Sequence, residues 1–127
     1  MSPSAPDHER RGAIRQAVTY RLDVIAPDGN VGCVLDLSLS GMRVRFRREI
    51  DVAGTSRLNV AFPRWLELGA GLEVGGRFVW MRSTKDDSTE AGFAFGELSR
   101  KELGLIQLLI QRLAEALAED RAAPITV

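Results

Sequence analysis

Hydrophobic periodicity switches once along this chain, and that switch most narrowly limits what it can fold into. Met42, Val44 and Phe46 interleave with Arg43, Arg45 and Arg47, and Leu58, Val60 and Phe62 again recur at every second position. Successive side chains of a strand point to opposite faces, so such runs describe half-buried strands, the first with a core face and a cationic face. Turn chemistry interrupts the runs roughly every eight to twelve residues, the spacing of an antiparallel barrel or sandwich and not of βαβ units. At Ser99 the period becomes helical. Ser99-x-x-Glu102 forms a capping box, Leu98 can staple onto Leu103, and Leu103, Ile106, Ile110, Leu113 and Leu117 recur at spacings of three and four.

The strands can be placed from these signals. Val18–Ala26 and Val31–Leu37 flank Pro27-Asp28-Gly29-Asn30 and predict a hairpin, and Ser38-Leu39-Ser40-Gly41 makes the next turn. A loop with Asp51, Ala53 and Gly54 leads into the Leu58 strand, which Pro63 stops. Leu66, Leu68, Ala70, Leu72 and Val74 continue the alternation, with Gly69 and Gly71 marking a bend and Gly75-Gly76 a further turn. Arg77–Ser83 and Ala91–Phe95 flank the polar loop Thr84–Thr89 as the last hairpin. Leu105, Leu108 and Leu109 widen the helix's apolar surface, which lies against the barrel or, in a sharper reading, also meets a second protomer. Pro124 prevents the helix from continuing.

A chain of 127 residues has room for one domain with a modest core. Seventeen basic residues balance seventeen acidic ones, so no global field gathers nucleic acid or an anionic membrane, and any anion site must be local. Fifteen of the seventeen cations are arginine, whose planar fork suits phosphates and guanine edges, although a GC-rich genome produces the same bias. Cys33 is the only cysteine, which excludes an internal disulfide and fits a reducing compartment. With no signal-peptide pattern and no apolar run of membrane-spanning length, the expected location is cytoplasmic, without membrane insertion.

Catalysis finds no support. The single histidine, His8, lies in a polar arm over residues 1 to about 16, and no Ser-His-Asp set, metal-ligand spacing or Walker loop is present. The expectation is no enzyme, no cofactor and no metal. A nucleic-acid barrel would need several exposed aromatics on one face, and the eight aromatics present are mostly required by the core.

Two short motifs carry the chemistry that remains. Arg10, Arg11 and Arg15 put three permanent charges beside the entry to the first strand, and each charge-assisted bond to a phosphate is worth roughly 1.5–3 kcal/mol. Against an association cost of about 4–15 kcal/mol, arginines alone bind weakly, so base stacking on Trp80 or a guanidinium plane must add roughly 1–3 kcal/mol per base. Asp36, Ser38 and Gly41 sit where a strand runs into a turn. They are ordinary turn residues, but a carboxylate there can also accept guanine N1–H and N2–H or anchor an arginine. Trp80 is either such a stacking ring or a core residue.

In this order and separation, Arg11-Gly12-Ala13-Ile14-Arg15 and Asp36-Leu37-Ser38-Leu39-Ser40-Gly41 resemble the PilZ domain family, and Gly92-Phe93-Ala94-Phe95 looks like its closing strand. The resemblance implies a mainly β chain: a six-stranded antiparallel PilZ-type barrel over about 17–97 and a C-terminal α-helix over about 99–119. The domain spans 9–120, with a flexible arm at 1–8 and a frayed tail at 121–127. It also implies binding of the bacterial second messenger cyclic di-GMP, with Arg11 and Arg15 gripping phosphate and guanine. Asp36 and Ser38 then support the guanine and the arm, and Gly41 keeps the turn open. Arg10 occupies the place where an arginine favours two intercalated ligands over one, and Trp80 resembles a stacking tryptophan of some members. The expected partners are two messenger molecules per chain and an unknown downstream protein, on a monomer or weak homodimer. The alternative is a PilZ-fold protein–protein interaction module, docking through Arg43, Arg45 and Arg47 or the helix leucines.

Overall fold

The computed structural model describes residues 15–50 and 54–122. His8, Arg10 and Arg11 of the arm, Asp51 and Ala53, and Pro124 lie outside the described residues. Seven strands follow in order: β1 (Gln16–Ala17), β2 (Asp23–Ile25), β3 (Val31–Leu37), β4 (Gly41–Phe46), β5 (Ser56–Ala61), β6 (Gly71–Ser83) and β7 (Thr89–Phe95). A 3₁₀ turn, Arg64–Leu66, joins β5 to β6, and the helix α1 covers Arg100–Ala122.

All pairings are antiparallel, and β3–β2–β5–β6–β7–β4 closes back onto β3. β1 pairs with the end of the same β3 edge that β2 occupies, Ala17 opposite Asp36, so the ring has six strand positions. Closure removes exposed edges, and the expected six-stranded barrel with a C-terminal helix is what forms.

Three local expectations need correction. The run from Val18 to Ala26 is not one strand: β1 ends at Ala17 and pairing resumes at Asp23, after Leu22 has turned into the core. Leu66–Ala70 is not a strand either, since Leu66 ends a 3₁₀ turn and Glu67 and Gly69 take positive φ of 56° and 96°. Their alternation of leucines reflects burial of a loop. Gly75-Gly76 is no turn but the middle of β6, where the strand leaves β5 and takes β7 as partner. Neither residue has positive φ, and a Cβ on Gly76 would lie 2.1 Å from the Ala94 carbonyl oxygen, so close approach of strands at the barrel corner requires glycine there.

The inward residues of the strands, among them Val24, Val34, Met42, Val44, Phe46, Leu58, Val74 and Phe93, fill the barrel. α1 begins at the predicted cap: Ser99 N–H donates to Glu102 Oε1 at 2.8 Å and Glu102 N–H to Ser99 Oγ at 3.1 Å. Ile106, Leu109 and Leu113 are buried, and Ile106 and Leu109 line the same apolar space as Val34, Met42 and Phe95, so the helix stoppers the barrel. Leu109 is thus a core residue, while Leu108 is 44% exposed. Arg112 donates to the Leu66 carbonyl at 2.6 Å and ties the helix to the 3₁₀ turn.

Candidate functional site

Strand register places the motif residues in one line across the barrel's outer wall. Asp36 on β3 is opposite Arg43 on β4, Arg43 is opposite Gly92 on β7, and Gly92 is opposite Trp80 on β6. At about 4.8 Å per strand, the line from Asp36 to Trp80 is roughly 14 Å long. Strict alternation would have sent both ends of it into the core. Val34 points inward, so Asp36 should as well, but a bulge between Val34 and Asp36 inserts one residue and turns the carboxylate out. Between Phe78 and Trp80 a second bulge does the same: Phe78 packs on the core, whereas Val79 and Trp80 are both exposed.

Asp36 sits between two guanidiniums. Arg15 Nη1 donates to Oδ1 at 2.5 Å, and Arg43 Nε lies 3.0 Å from Oδ2 without aiming its N–H at it, an ionic rather than hydrogen-bonded contact. The Asp36 side chain is 15% exposed and that of Arg15 is 52% exposed, so the carboxylate is mostly covered while the arm's guanidinium keeps an open side.

Ser38 is 1% exposed and turns its hydroxyl into the loop. It receives the Ser40 N–H at 3.2 Å, donates to the Gly41 carbonyl at 3.3 Å and meets Ser40 Oγ at 3.1 Å. Its backbone N–H also donates to the Gly41 carbonyl, at 2.8 Å. Gly41, expected to keep the turn open, has no positive φ; its Cβ would meet the Phe93 carbonyl oxygen at 2.4 Å, so glycine is needed to seat β4 against β7.

Arg15, Asp36, Ser40, Gly41, Arg43, Val79, Trp80 and Gly92 line a cleft of about 430 Å³. Trp80 is 43% exposed and lies across Gly92, so it is not a core tryptophan. The structure thus brings together Arg15, Asp36, Gly41 and Trp80, and places Ser38 beneath them. A larger cleft, about 580 Å³, lies between Arg21, Arg47, Arg48, Asp28 and Glu49, mixed in charge and without an aromatic ring.

Sequence reasoning left Arg43 on a generic cationic face, read Gly92 only as part of the closing strand and passed over Glu90. Outward parity on β4 marks Arg43, but only register shows what it faces. Glu90, also outward on β7, is nevertheless buried beneath arginines: Arg45 Nη2 donates at 2.9 Å and Arg82 Nη2 at 3.1 Å, with Arg43 Nη1 at 3.8 Å. The hydrogen bond from Arg45 outweighs desolvation and holds the Glu90 carboxyl below the usual carboxylate range. Arg43 therefore bridges Asp36 and Glu90, and these two carboxylates are shared among Arg15, Arg43, Arg45 and Arg82, so the arginines are held in place while the wall keeps a net positive charge. Among the described residues no cluster of His, Cys, Asp and Glu could hold a metal ion, and no helix is long and apolar enough to cross a membrane.

Comparison with known proteins bears on this site. The family model for the PilZ domain matches residues 9–112. Among solved structures, the chain is similar to the PilZ domain of Escherichia coli YcgR with c-di-GMP (TM-score 0.69, 18% identity, covering 91% of this chain and 99% of that one). Bacillus subtilis MotI, an inhibitor of motility, gives a TM-score of 0.63 at 17% identity, with 87% of this chain covered and 52% of that one. The PilZ domain of CeSA from a cellulose-synthesizing bacterium gives 0.53 at 17% identity, covering 80% of this chain and 99% of that one. At such identities these neighbours speak to the fold, and against the longer ones the chain spans about half the length. No curated protein matches by sequence. With the family match running from the arm's arginines into α1, and the closed barrel and its helix agreeing, the chain belongs to the PilZ domain family.

Proposed function

We propose that this chain is a receptor for cyclic di-GMP, which it binds in the cleft between Arg15 and Trp80. The observation that carries the reading is the single cross-strand line that sets a half-exposed indole and a doubly paired carboxylate, with the arm's Arg15 clamped on it, around one space. Family membership and the likeness to a PilZ domain with c-di-GMP support the ligand's identity.

The ligand offers two phosphate charges and two purine faces. Guanidinium forks meet the phosphates and the guanine O6/N7 edge, and the indole stacks on a base. Asp36 anchors Arg15 and so fixes where the arm enters, while Arg43 keeps a positive charge on the carboxylate's other oxygen when Arg15 turns to ligand. Ser38 and Gly41 act beneath, by holding the turn. Arg10 and Arg11 close over the ligand from the arm, Arg10 admitting the second molecule. Signalling follows from the ordered arm, which a downstream protein then reads. In the interaction-module alternative a partner competes for Arg43 and Arg45 with Asp36 and Glu90, which already contact them.

Calorimetric titration with cyclic di-GMP tests this, with GTP and a short oligonucleotide as controls. The expected result is saturable binding of two messengers per chain, at least tenfold weaker for Arg11→Ala, and a count falling toward one for Arg10→Leu. Equal affinity for wild type and Arg11→Ala contradicts the arm's role.

A further inference from the structure

Gly92 lies on the outer face of β7, where a small residue should be exposed, yet it is buried, and Trp80 buries it. A Cβ built on Gly92 would meet Trp80 Nε1 at 2.1 Å, Cε2 at 2.6 Å and Cδ1 at 2.7 Å. These three atoms are consecutive in the five-membered ring, with Nε1 nearest, and the two carbons flanking it are not as far behind as an edge-on ring would hold them, so the ring lies face-on over the glycine instead of pointing an edge at it. Gly92 has no positive φ, so neither turn nor strain accounts for a glycine there. The indole accounts for it.

We propose that Gly92 is a positioning residue whose missing side chain seats Trp80 flat against the barrel wall, making the indole a preformed platform for a purine ring. The β6 bulge at Val79 supplies the other half of the device by turning Trp80 out of the core and onto β7. One indole face is covered by the Gly92 backbone, and the 43% exposure of the residue leaves the other open to the cleft. A ring already held in its stacking orientation gives up less freedom on binding, which raises affinity without a new contact. Alanine at position 92 has acceptable backbone geometry, and its three closest contacts are all to Trp80, so its effect passes through the indole.

The ligand part of this inference rests on the cyclic di-GMP reading; the seat itself does not, and two measurements separate them. In a Trp65→Phe background, which leaves Trp80 as the only indole, acrylamide quenching of the free protein should rise when Gly92→Ala is added. Unchanged quenching overturns the seat whether or not the messenger binds. Thermal unfolding closes a cycle: Gly92→Ala should lower the midpoint in the presence of Trp80 and leave it unchanged or higher in Trp80→Ala, where the clash is gone. Equal drops in both backgrounds overturn it. Titration with cyclic di-GMP should show Gly92→Ala weakened about tenfold, and the double variant no weaker than Trp80→Ala alone. Wild-type affinity in Gly92→Ala, or losses that multiply, contradict the platform; absence of binding in the wild type defeats the functional reading and leaves quenching and unfolding to decide the seat.

Discussion

Ser38 shows how a motif residue acts without facing the cleft. Its hydroxyl serves Ser40 N–H and the Gly41 carbonyl in a site 1% exposed, and since the Ser38 N–H also reaches that carbonyl, replacing the hydroxyl with alanine takes the partner from the part-buried Ser40 N–H. Ser38→Ala should lower the unfolding free energy by about 1–3 kcal/mol, read from urea denaturation, and an unchanged midpoint contradicts that role. The sequence identified Ser38 and Gly41 as turn residues but not their means, because hydroxyl partners and strand contact both depend on residues brought in by folding. Asp36 was legible as a charge beside a turn. That two arginines compete for it was not, since Arg43 meets it only through the β3–β4 register and a one-residue bulge that no periodicity count reveals. Trp80 and Gly92 illustrate the same limit, being twelve residues apart and read as separate strands until pairing sets them together.

Elements whose determinants are local were read well. Capping box, hairpin turns and the alternation of β4 depend on neighbours within a few residues, and all three formed where expected. Ser99→Ala should therefore cost about 1 kcal/mol of stability by thermal or chemical unfolding. The β6–β7 turn is built on Asp86, whose carboxylate accepts from Thr84 Oγ1 and from Ser88 Oγ. Those bonds lower its pKa from 3.8 to about 2. Since the folded value lies below the unfolded one, this carboxylate's contribution is complete above about pH 4 and disappears as pH falls toward 2. Asp86→Asn should flatten part of the acid limb of a stability–pH curve, and an identical limb contradicts the turn's dependence on that charge. Where Gly75-Gly76 was misread, the cause lies in what glycine does: a missing Cβ permits both turning and close approach, and only the long-range β6–β7 contact decides between them.

For the molecule as a whole, barrel closure brings distant segments into one functional line. Residues from the arm, β3, β4, β6 and β7 converge on a cleft that none of them builds alone, and the Arg43–Glu90 contact joins that line to the arginines of the next row. Periodicity narrowed the fold to an antiparallel barrel or sandwich, since either needs only short amphipathic strands in sequence, and the resemblance to PilZ domains singled out the six-stranded barrel. The site's full membership could not, because bulges set which residues face out. Whether this line, and not the larger arginine-bordered cleft, receives the messenger is decided by NMR chemical-shift mapping during a cyclic di-GMP titration. The largest shifts are expected at the Trp80 indole N–H and at the Asp36, Arg43 and Gly92 amides. Shifts centred instead on Arg21, Arg47 and Arg48, or none at saturating messenger, would contradict binding along this line.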